Sequence, residues 1–184
     1  GLNTDVKFRV LAKKIGLKFF SISGNNTNIF LRNLEKNIFN YSFRKANQKN
    51  NLIQYHSDIR SKKIKKIKKN PNCSILFYGK QEKIQLRLKT VCKVHFNDDV
   101  TKESWDKTGH ISRKCYLVTN GPGTESDKPT SGLDNKFDNF DYTKEESEEG
   151  YKNFCVIRCK VKSIEWLYLA AKGHRRAFFD LENN

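Results

Sequence analysis

The residues best suited to chemistry are a serine and two lysines that stand together at Ser61-Lys62-Lys63. The run that follows has isoleucines at helical spacing and ends at Asn70-Pro71, which predicts a short helix with Ser61 as its N-cap. The first N–H groups of a helix and its dipole attract anions, whereas lysines in a first turn destabilise the helix unless an anion is bound. The pattern therefore indicates a phosphate site. The alternative is a basic helix whose lysines are merely solvated.

Two further residues could complete a site for a phosphorylated ring compound. Arg44 lies on a predicted strand before the helix, and an arginine fork can bind phosphate through two hydrogen bonds. Gln85 lies within a later strand, and its carboxamide offers a donor and an acceptor to the edge of a heterocycle such as a flavin. Ordinary solvent-facing strand positions explain both residues equally well.

The elements that must position these residues are mostly strands. Residues 120–150 are rich in turn-forming and acidic residues, which predicts a flexible surface insertion, with Phe137, Phe140 and Tyr142 as anchors, in a single domain over 1–184. Strands joined by hairpins, with a few short helices, favour an antiparallel barrel over a doubly wound parallel sheet. The predicted strands are 41–46, 52–57, 74–78, 83–96, 154–161, 164–169 and 174–179, and the predicted helices are 27–39, 61–69 and 101–107.

The charge, apolar runs and cysteines of the chain limit the classes of function that it could have. The net charge of +16, from 36 Lys+Arg against 20 Asp+Glu, favours anionic partners, although solvated lysines account for it equally. No run approaches the roughly 18 apolar residues of a membrane-spanning helix. Five cysteines without CxxC spacing favour free thiols in the cytoplasm over a disulfide framework or a zinc site. No metal site is expected, and no dinucleotide, P-loop, zinc-protease or calcium motif is present.

Taken as a whole, the central motifs resemble the pyridoxamine 5'-phosphate oxidase family, and most closely a branch of pyridoxamine-oxidase-like flavin proteins. The resemblance extends from about Ile38 to Phe179 and implies a mostly β fold, a six-stranded antiparallel split β-barrel with a few short helices. It also implies an FMN cofactor and a homodimer. The segments that carry it are Tyr55 to Lys63, Asn70-Pro71, Leu76-Phe77-Tyr78, Gln85 to Leu88, Trp105, Ser112-Arg113, Ile164 to Leu167 and His174 to Phe178.

Carried over residue by residue, the resemblance implies several FMN contacts and one substrate contact. Lys62 and Lys63 would bind the FMN phosphate with Arg44 beside it, and Gln85 would hydrogen-bond the isoalloxazine ring. Arg176 falls where the oxidase has an arginine that contacts substrate, and no catalytic side chain is implied. The implied cofactor-binding residues are Arg44, His56, Ser57, Lys62, Lys63 and Gln85.

The implied activity is that of an oxidoreductase in which hydride passes from a small-molecule substrate, which could carry a phosphate, to flavin N5. The sequence departs from the family pattern near Phe39, where an arginine is common, at Leu167, where a tryptophan is common, and at Phe178, where a histidine is expected. These departures motivate a degenerate barrel without flavin chemistry as an alternative. A basic nucleic-acid-binding module over 62–69 is another, but no motif that reads nucleic acid is present.

Overall fold

The computed structural model describes residues 43–47, 51–139 and 142–182. The strands within these ranges form one sheet in the order β1-β2-β5-β4-β3, and β6 pairs with β5 off this path. The prediction of a mostly β fold is confirmed. The strands are β1 (Phe43–Asn47), β2 (Leu52–Asp58), β3 (Asn72–Gly79), β4 (Ile84–His95), β5 (Phe154–Tyr168) and β6 (Arg175–Asp180).

The helices in the described residues are short. The predicted helix over 27–39, and Phe39 with it, lies outside the described residues. Two 3₁₀ helices cover Lys114–Tyr116 and Glu146–Asn153. The α-helices are α1 (Lys62–Lys69), α2 (Asp99–Asp106), α3 (His110–Arg113) and α4 (Asn135–Asp138).

The chain divides into two compact units, which are described separately. The first unit comprises Gly1–Ile53, Asn72–Val91 and Cys159–Asn184, and the second unit comprises Gln54–Pro71 and Cys92–Arg158. None of the described helices has the length and apolar character needed to cross a membrane.

In the first unit, strand pairing follows the predicted alternation. Strands β3 and β4 are antiparallel, and Tyr78 lies opposite Gln85. Ile84 and Leu86 of β4 are buried, while Gln85 between them belongs to the other face. Because alternate residues of a strand share a face, the polar positions of β4 are collected on the side away from the apolar core.

In the second unit, the core is a cluster of rings. Trp105 of α2 packs against Tyr116 and Phe154, with ring centroids 5.9 Å and 5.1 Å away, and Val156 completes the cluster. Such tilted and edge-on aromatic pairs add to the stabilisation that comes from burial alone. The cluster explains how two short helices and an insertion can pack on the strand residues of this unit.

The predicted insertion contains ordered contacts. Phe137 and Tyr142 are buried with their rings 5.3 Å apart, as expected of two of the three anchors, and the third, Phe140, lies outside the described residues. Gly121 lies so close to Arg60 that a Cβ on the glycine would be 3.0 Å from the Cβ of Arg60. The flexibility of the insertion and the single domain stay predictions.

Two expectations required correction. The predicted strands 154–161 and 164–169 are one continuous strand, since no glycine or proline interrupts the chain between them. The prediction that all cysteines are free thiols is wrong for Cys92 and Cys159, which are disulfide-bonded, whereas Cys73, Cys115 and Cys155 are not in disulfides. Spacing along the chain cannot reveal which cysteines form disulfides in the folded protein, and the cysteines no longer argue for the cytoplasm.

Candidate functional site

The N-terminus of α1, in the second unit, is the predicted phosphate site. Ser61 has the extended backbone of an N-cap (φ −65°, ψ 144°), yet its side chain makes no capping hydrogen bond. The residue is only 7% exposed, and its Oγ has no hydrogen-bond partner within the part of the chain that the structure describes. A buried polar atom left unsatisfied costs about 1–3 kcal/mol, so this hydroxyl could donate to a bound anion at little cost to the fold.

Two exposed cations flank that hydroxyl. Lys62 and Lys63 occupy the first turn of α1, which contains no acidic residue, and neither forms an ion pair with any described residue. The Nζ of Lys63 lies 5.8 Å from the centroid of the Tyr55 ring. The buried Ile64 fixes the helix, so the N–H groups, the serine and the lysines are held on one short segment.

The turn before α1 is held by an arginine that the sequence did not single out. Asp58 accepts hydrogen bonds from the backbone N of Arg60 at 2.8 Å and from its Nη2 at 2.7 Å. Arg60 also donates to the backbone oxygens of Val118 and Thr119, at 3.1 Å and 2.9 Å. Its guanidinium is therefore committed to positioning the turn. The Asp58-x-Arg60 spacing could have pointed to Arg60 in the sequence. Spacing alone, however, cannot show whether an arginine holds a turn in place or binds a ligand.

His56 and Ser57 lie on β2, immediately before this turn. The His56 ring packs edge-on against Phe154, with centroids 4.8 Å apart. The carbonyl oxygen of Ser57 accepts a hydrogen bond from the Sγ of Cys155 at 3.2 Å. Burial, with the nearby Asp58 carboxylate adding to it, raises the pKa of Cys155 to about 12. The thiol therefore stays protonated and is no nucleophile.

Gln85 lies in the first unit, on a face that carries a row of polar side chains. It is half-buried, and its partner across the strand pair, Tyr78, is 54% exposed. Arg87, two residues further along β4, has its Nη1 3.6 Å from an oxygen of Glu165. The Gln85 carboxamide thus belongs to an open surface with an aromatic ring and a cation beside it.

Arg176 lies on β6 in the same unit and is held by a carboxylate. Its Nη2 donates to Oε2 of Glu165 at 2.5 Å, and Leu167 lies opposite it in the strand pair. Phe178, in the position where the family pattern has a histidine, is 62% exposed and lies opposite Glu165. Glu165 therefore bridges Arg87 and Arg176.

Four of the predicted residues lie close along the chain in the second unit. His56 and Ser57 lie near the end of β2, which ends at Asp58, and Lys62 and Lys63 begin α1 after a turn of three residues. Gln85 and Arg176 lie in the first unit, and Arg44 lies within β1, of which only the backbone is described. The assignment of all seven residues to FMN or substrate stays a prediction.

A cleft of about 400 Å³ opens in the second unit beside the Arg60 turn. Its lining includes Arg60, Tyr116 and Phe137, together with charged side chains of both signs such as Lys136 and Glu149. The described residues contain no group of three or more side chains that could hold a metal ion.

A comparison with models of protein families finds a match over part of the chain. Residues 31–96 match the model of the FMN-binding domain of pyridoxamine 5'-phosphate oxidase. This range includes all six residues for which the sequence predicted a contact with the cofactor. A search of curated proteins finds no match.

A comparison with solved structures shows which fold the chain has. A pyridoxamine 5'-phosphate oxidase-related, FMN-binding protein from Nostoc punctiforme is 19% identical, with a TM-score of 0.59 over 77% of this chain and 72% of that one. PhzG from Burkholderia lata, solved with tetrahydrophenazine-1-carboxylic acid, is 10% identical, with a TM-score of 0.56 over 77% of this chain and 68% of that one.

Likeness at these identities shows the fold alone, and the fold is the predicted split barrel. The resemblance seen in the sequence is confirmed by the match of a family model to the same motifs. Residues 31–96 thus correspond to the FMN-binding domain of the pyridoxamine 5'-phosphate oxidase family, and FMN is the cofactor of that domain.

Proposed function

We propose that this protein is an FMN-dependent oxidoreductase that holds the FMN phosphate at the N-terminus of α1. The observation that carries the proposal is the buried, unpartnered hydroxyl of Ser61 beside Lys62 and Lys63, inside the matched FMN-binding domain. Bound flavin would supply a hydride acceptor at N5, and the protein would supply binding, orientation and electrostatics. We further propose that it works as a homodimer in the cytoplasm on a small molecule, which could carry a phosphate.

The proposed phosphate contacts follow from the donors at this helix terminus. Ser61 would donate its Oγ–H, Lys62 and Lys63 would neutralise the dianion, and first-turn N–H groups would add neutral donors. Arg60 would act indirectly, because its guanidinium is already bound to Asp58 and to two carbonyl oxygens. The phosphate would thus meet a segment whose shape is fixed before binding, which lowers the entropy lost on binding.

The first unit supplies the proposed contacts to the ring and the substrate. Gln85 would offer its amide N–H and carbonyl oxygen to the ring edge. Arg176 would orient a substrate anion, which would have to draw the guanidinium away from Glu165 or share it with that carboxylate. Glu165 thereby keeps an exposed arginine in one orientation until substrate arrives.

A visible spectrum of the purified protein tests the proposal. We expect the protein, after incubation with FMN and gel filtration, to retain flavin and absorb blue light. Under anaerobic conditions, we expect that absorbance to bleach with a reduced nicotinamide or an oxidisable amine. A folded protein that retains no flavin would contradict the cofactor assignment and would support the alternative of a degenerate barrel without flavin chemistry, which the exposed Phe178 motivates. Retained flavin that no donor reduces would contradict the oxidoreductase activity.

Ser61→Ala separates the phosphate role from a structural one. Because the Ser61 hydroxyl makes no hydrogen bond in the described structure, its removal should leave the urea midpoint of the FMN-free protein unchanged or slightly higher. FMN affinity should fall about tenfold, as expected for loss of one charge-assisted hydrogen bond. Fluorescence titration of FMN and urea unfolding provide the two measurements. A large loss of stability with unchanged FMN affinity would show that the serine serves only the fold.

A further inference from the structure

The outward face of α1 carries more cations than a phosphate site needs. Successive residues of an α-helix are rotated by about 100°, so positions three, four and seven apart share one side. Ile64 and Ile67 are buried and mark the inner side of α1. The lysine face lies opposite them and consists of Lys62, Lys65, Lys66 and Lys69, all exposed.

The lysine face has no compensating acid. None of its four lysines forms an ion pair with a residue in the described ranges, and α1 itself contains no acidic residue. Some lysines elsewhere in the described chain do have acidic partners: Lys107 Nζ lies 2.7 Å from Glu103, and Lys136 Nζ lies 2.9 Å from Glu146. Asp58, the acid nearest to α1 along the chain, is already bound by Arg60. The charge of the lysine face is therefore available to an external anion.

The burial of the apolar residues of α1 argues against an anionic membrane surface as the partner of the lysine face. A helix that lies in a membrane interface inserts apolar side chains below the headgroups. Both apolar residues of α1, Ile64 and Ile67, are already committed to the protein core. Contact with the backbone of a nucleic acid needs only exposed cations, and it reads no base sequence.

The length of the lysine face suits the spacing of charges along a nucleic-acid duplex. Lys62 and Lys69 are seven residues apart, which corresponds to about 10.5 Å along the helix axis. A nucleic-acid duplex carries about one negative charge per 1.7 Å of its axis, so the lysine face spans roughly six of those charges. The missing reader motif, which argued against a nucleic-acid partner in the sequence, is not needed for contacts of this kind.

We propose that the lysine face of α1 binds the sugar-phosphate backbone of duplex nucleic acid without sequence preference. Lys62 is shared with the proposed FMN phosphate site, so Lys65, Lys66 and Lys69 carry the binding when FMN is present. The inference does not depend on the proposed flavin chemistry, because it uses only the exposure and charge of α1.

The test compares two triple variants of the full chain. Binding of a labelled duplex RNA of about two helical turns is followed by fluorescence anisotropy over a range of salt. Replacing Lys65, Lys66 and Lys69 by glutamine should lower affinity at low salt by more than about tenfold and reduce the salt slope by about three. FMN retention should not change. The control replaces three lysines that have acidic partners, Lys107, Lys136 and Lys162.

The control has the same net charge as the test variant, so it should bind the duplex nearly as the original protein does. Equal loss in both variants would overturn the proposal, because net charge alone would then explain binding. Absence of binding to duplex RNA at low salt would also overturn it. Tighter binding to phosphatidylserine vesicles than to the duplex would assign the lysine face to a membrane instead.

Discussion

Replacing both Lys62 and Lys63 by alanine is expected to weaken FMN binding by roughly 100- to 1,000-fold. Each charged hydrogen bond contributes about 1.5–3 kcal/mol, so two contribute about 3–6 kcal/mol if they add. The lower part of that range, about 3–4 kcal/mol, is expected here because both lysines are exposed and water screens their charge. Stability should change little, since both lysines are exposed and unpaired among the described residues. Quenching of flavin fluorescence on titration gives the dissociation constant directly.

The matched control replaces Lys68 and Lys69, at the other end of the same helix. It removes the same charge from α1 and leaves the proposed phosphate contacts in place. Its FMN affinity should stay within about threefold of the original, because solvent and salt screen charges beyond about 10 Å. Similar loss in both double variants would refute a specific phosphate site and would leave only a general electrostatic attraction.

Arg113→Ala is expected to lower the free energy of unfolding by about 3–5 kcal/mol, because a large buried side chain and its hydrogen bonds are removed together. The arginine is 1% exposed, and its guanidinium carbon lies 4.5 Å from the centroid of the Trp105 ring. Its Nε donates to the Thr108 carbonyl at 3.0 Å, and its Nη2 donates to the Trp105 carbonyl at 2.9 Å. Removal takes one hydrogen bond from each of these carbonyls and leaves a cavity, although the Trp105 carbonyl still accepts from the backbone N of Thr108 at 2.9 Å.

A carboxylate completes this arrangement. Glu148 accepts hydrogen bonds from Nη1 of Arg113 and from Nε1 of Trp105, the latter at 2.6 Å. Burial acts to raise the pKa of Glu148, but the two hydrogen bonds and the arginine charge prevail and lower it. Glu148 is half-exposed and regains water when the arginine is removed, so the main loss comes from the cavity and from the hydrogen bonds to the two carbonyls.

Urea unfolding at neutral pH measures the effect, with Lys107→Ala as the control. Lys107 pairs with Glu103 at 2.7 Å, but both side chains are largely exposed, so its loss should change stability by less than about 0.5 kcal/mol. An Arg113→Ala variant as stable as this control would show that the buried guanidinium is no more than neutral in the fold.

Local signals in the sequence were enough for α1 and β4. Ser61 before an isoleucine-spaced run, and Asn70-Pro71 after it, indicated both ends of the helix correctly, although the Ser61 side chain makes no capping hydrogen bond. The alternation of Ile84, Gln85 and Leu86 predicted which face of β4 is buried. These features depend on residues within a few positions of one another.

Long-range contacts could not be predicted in the same way. Arg113 and Glu148 are 35 positions apart, and Arg60 and Thr119 are 59 apart. Nothing in their spacing shows that these pairs meet, since only the fold brings them together. The sequence therefore indicated the phosphate donors of the candidate site but missed the arginine that positions the turn beside them.

The buried thiol of Cys155 can be used to measure the rate at which the second unit opens locally. Its side chain is 0% exposed, and its sulfur donates to the carbonyl of Ser57 one turn before α1. An alkylating reagent can reach the sulfur only when β2 and β5 separate locally, so the labelling rate reports that event. Exposed Cys115 reacts without any opening and serves as the internal reference. A ligand that binds beside Ser61 would then slow the labelling of Cys155, although the ligand does not contact that cysteine.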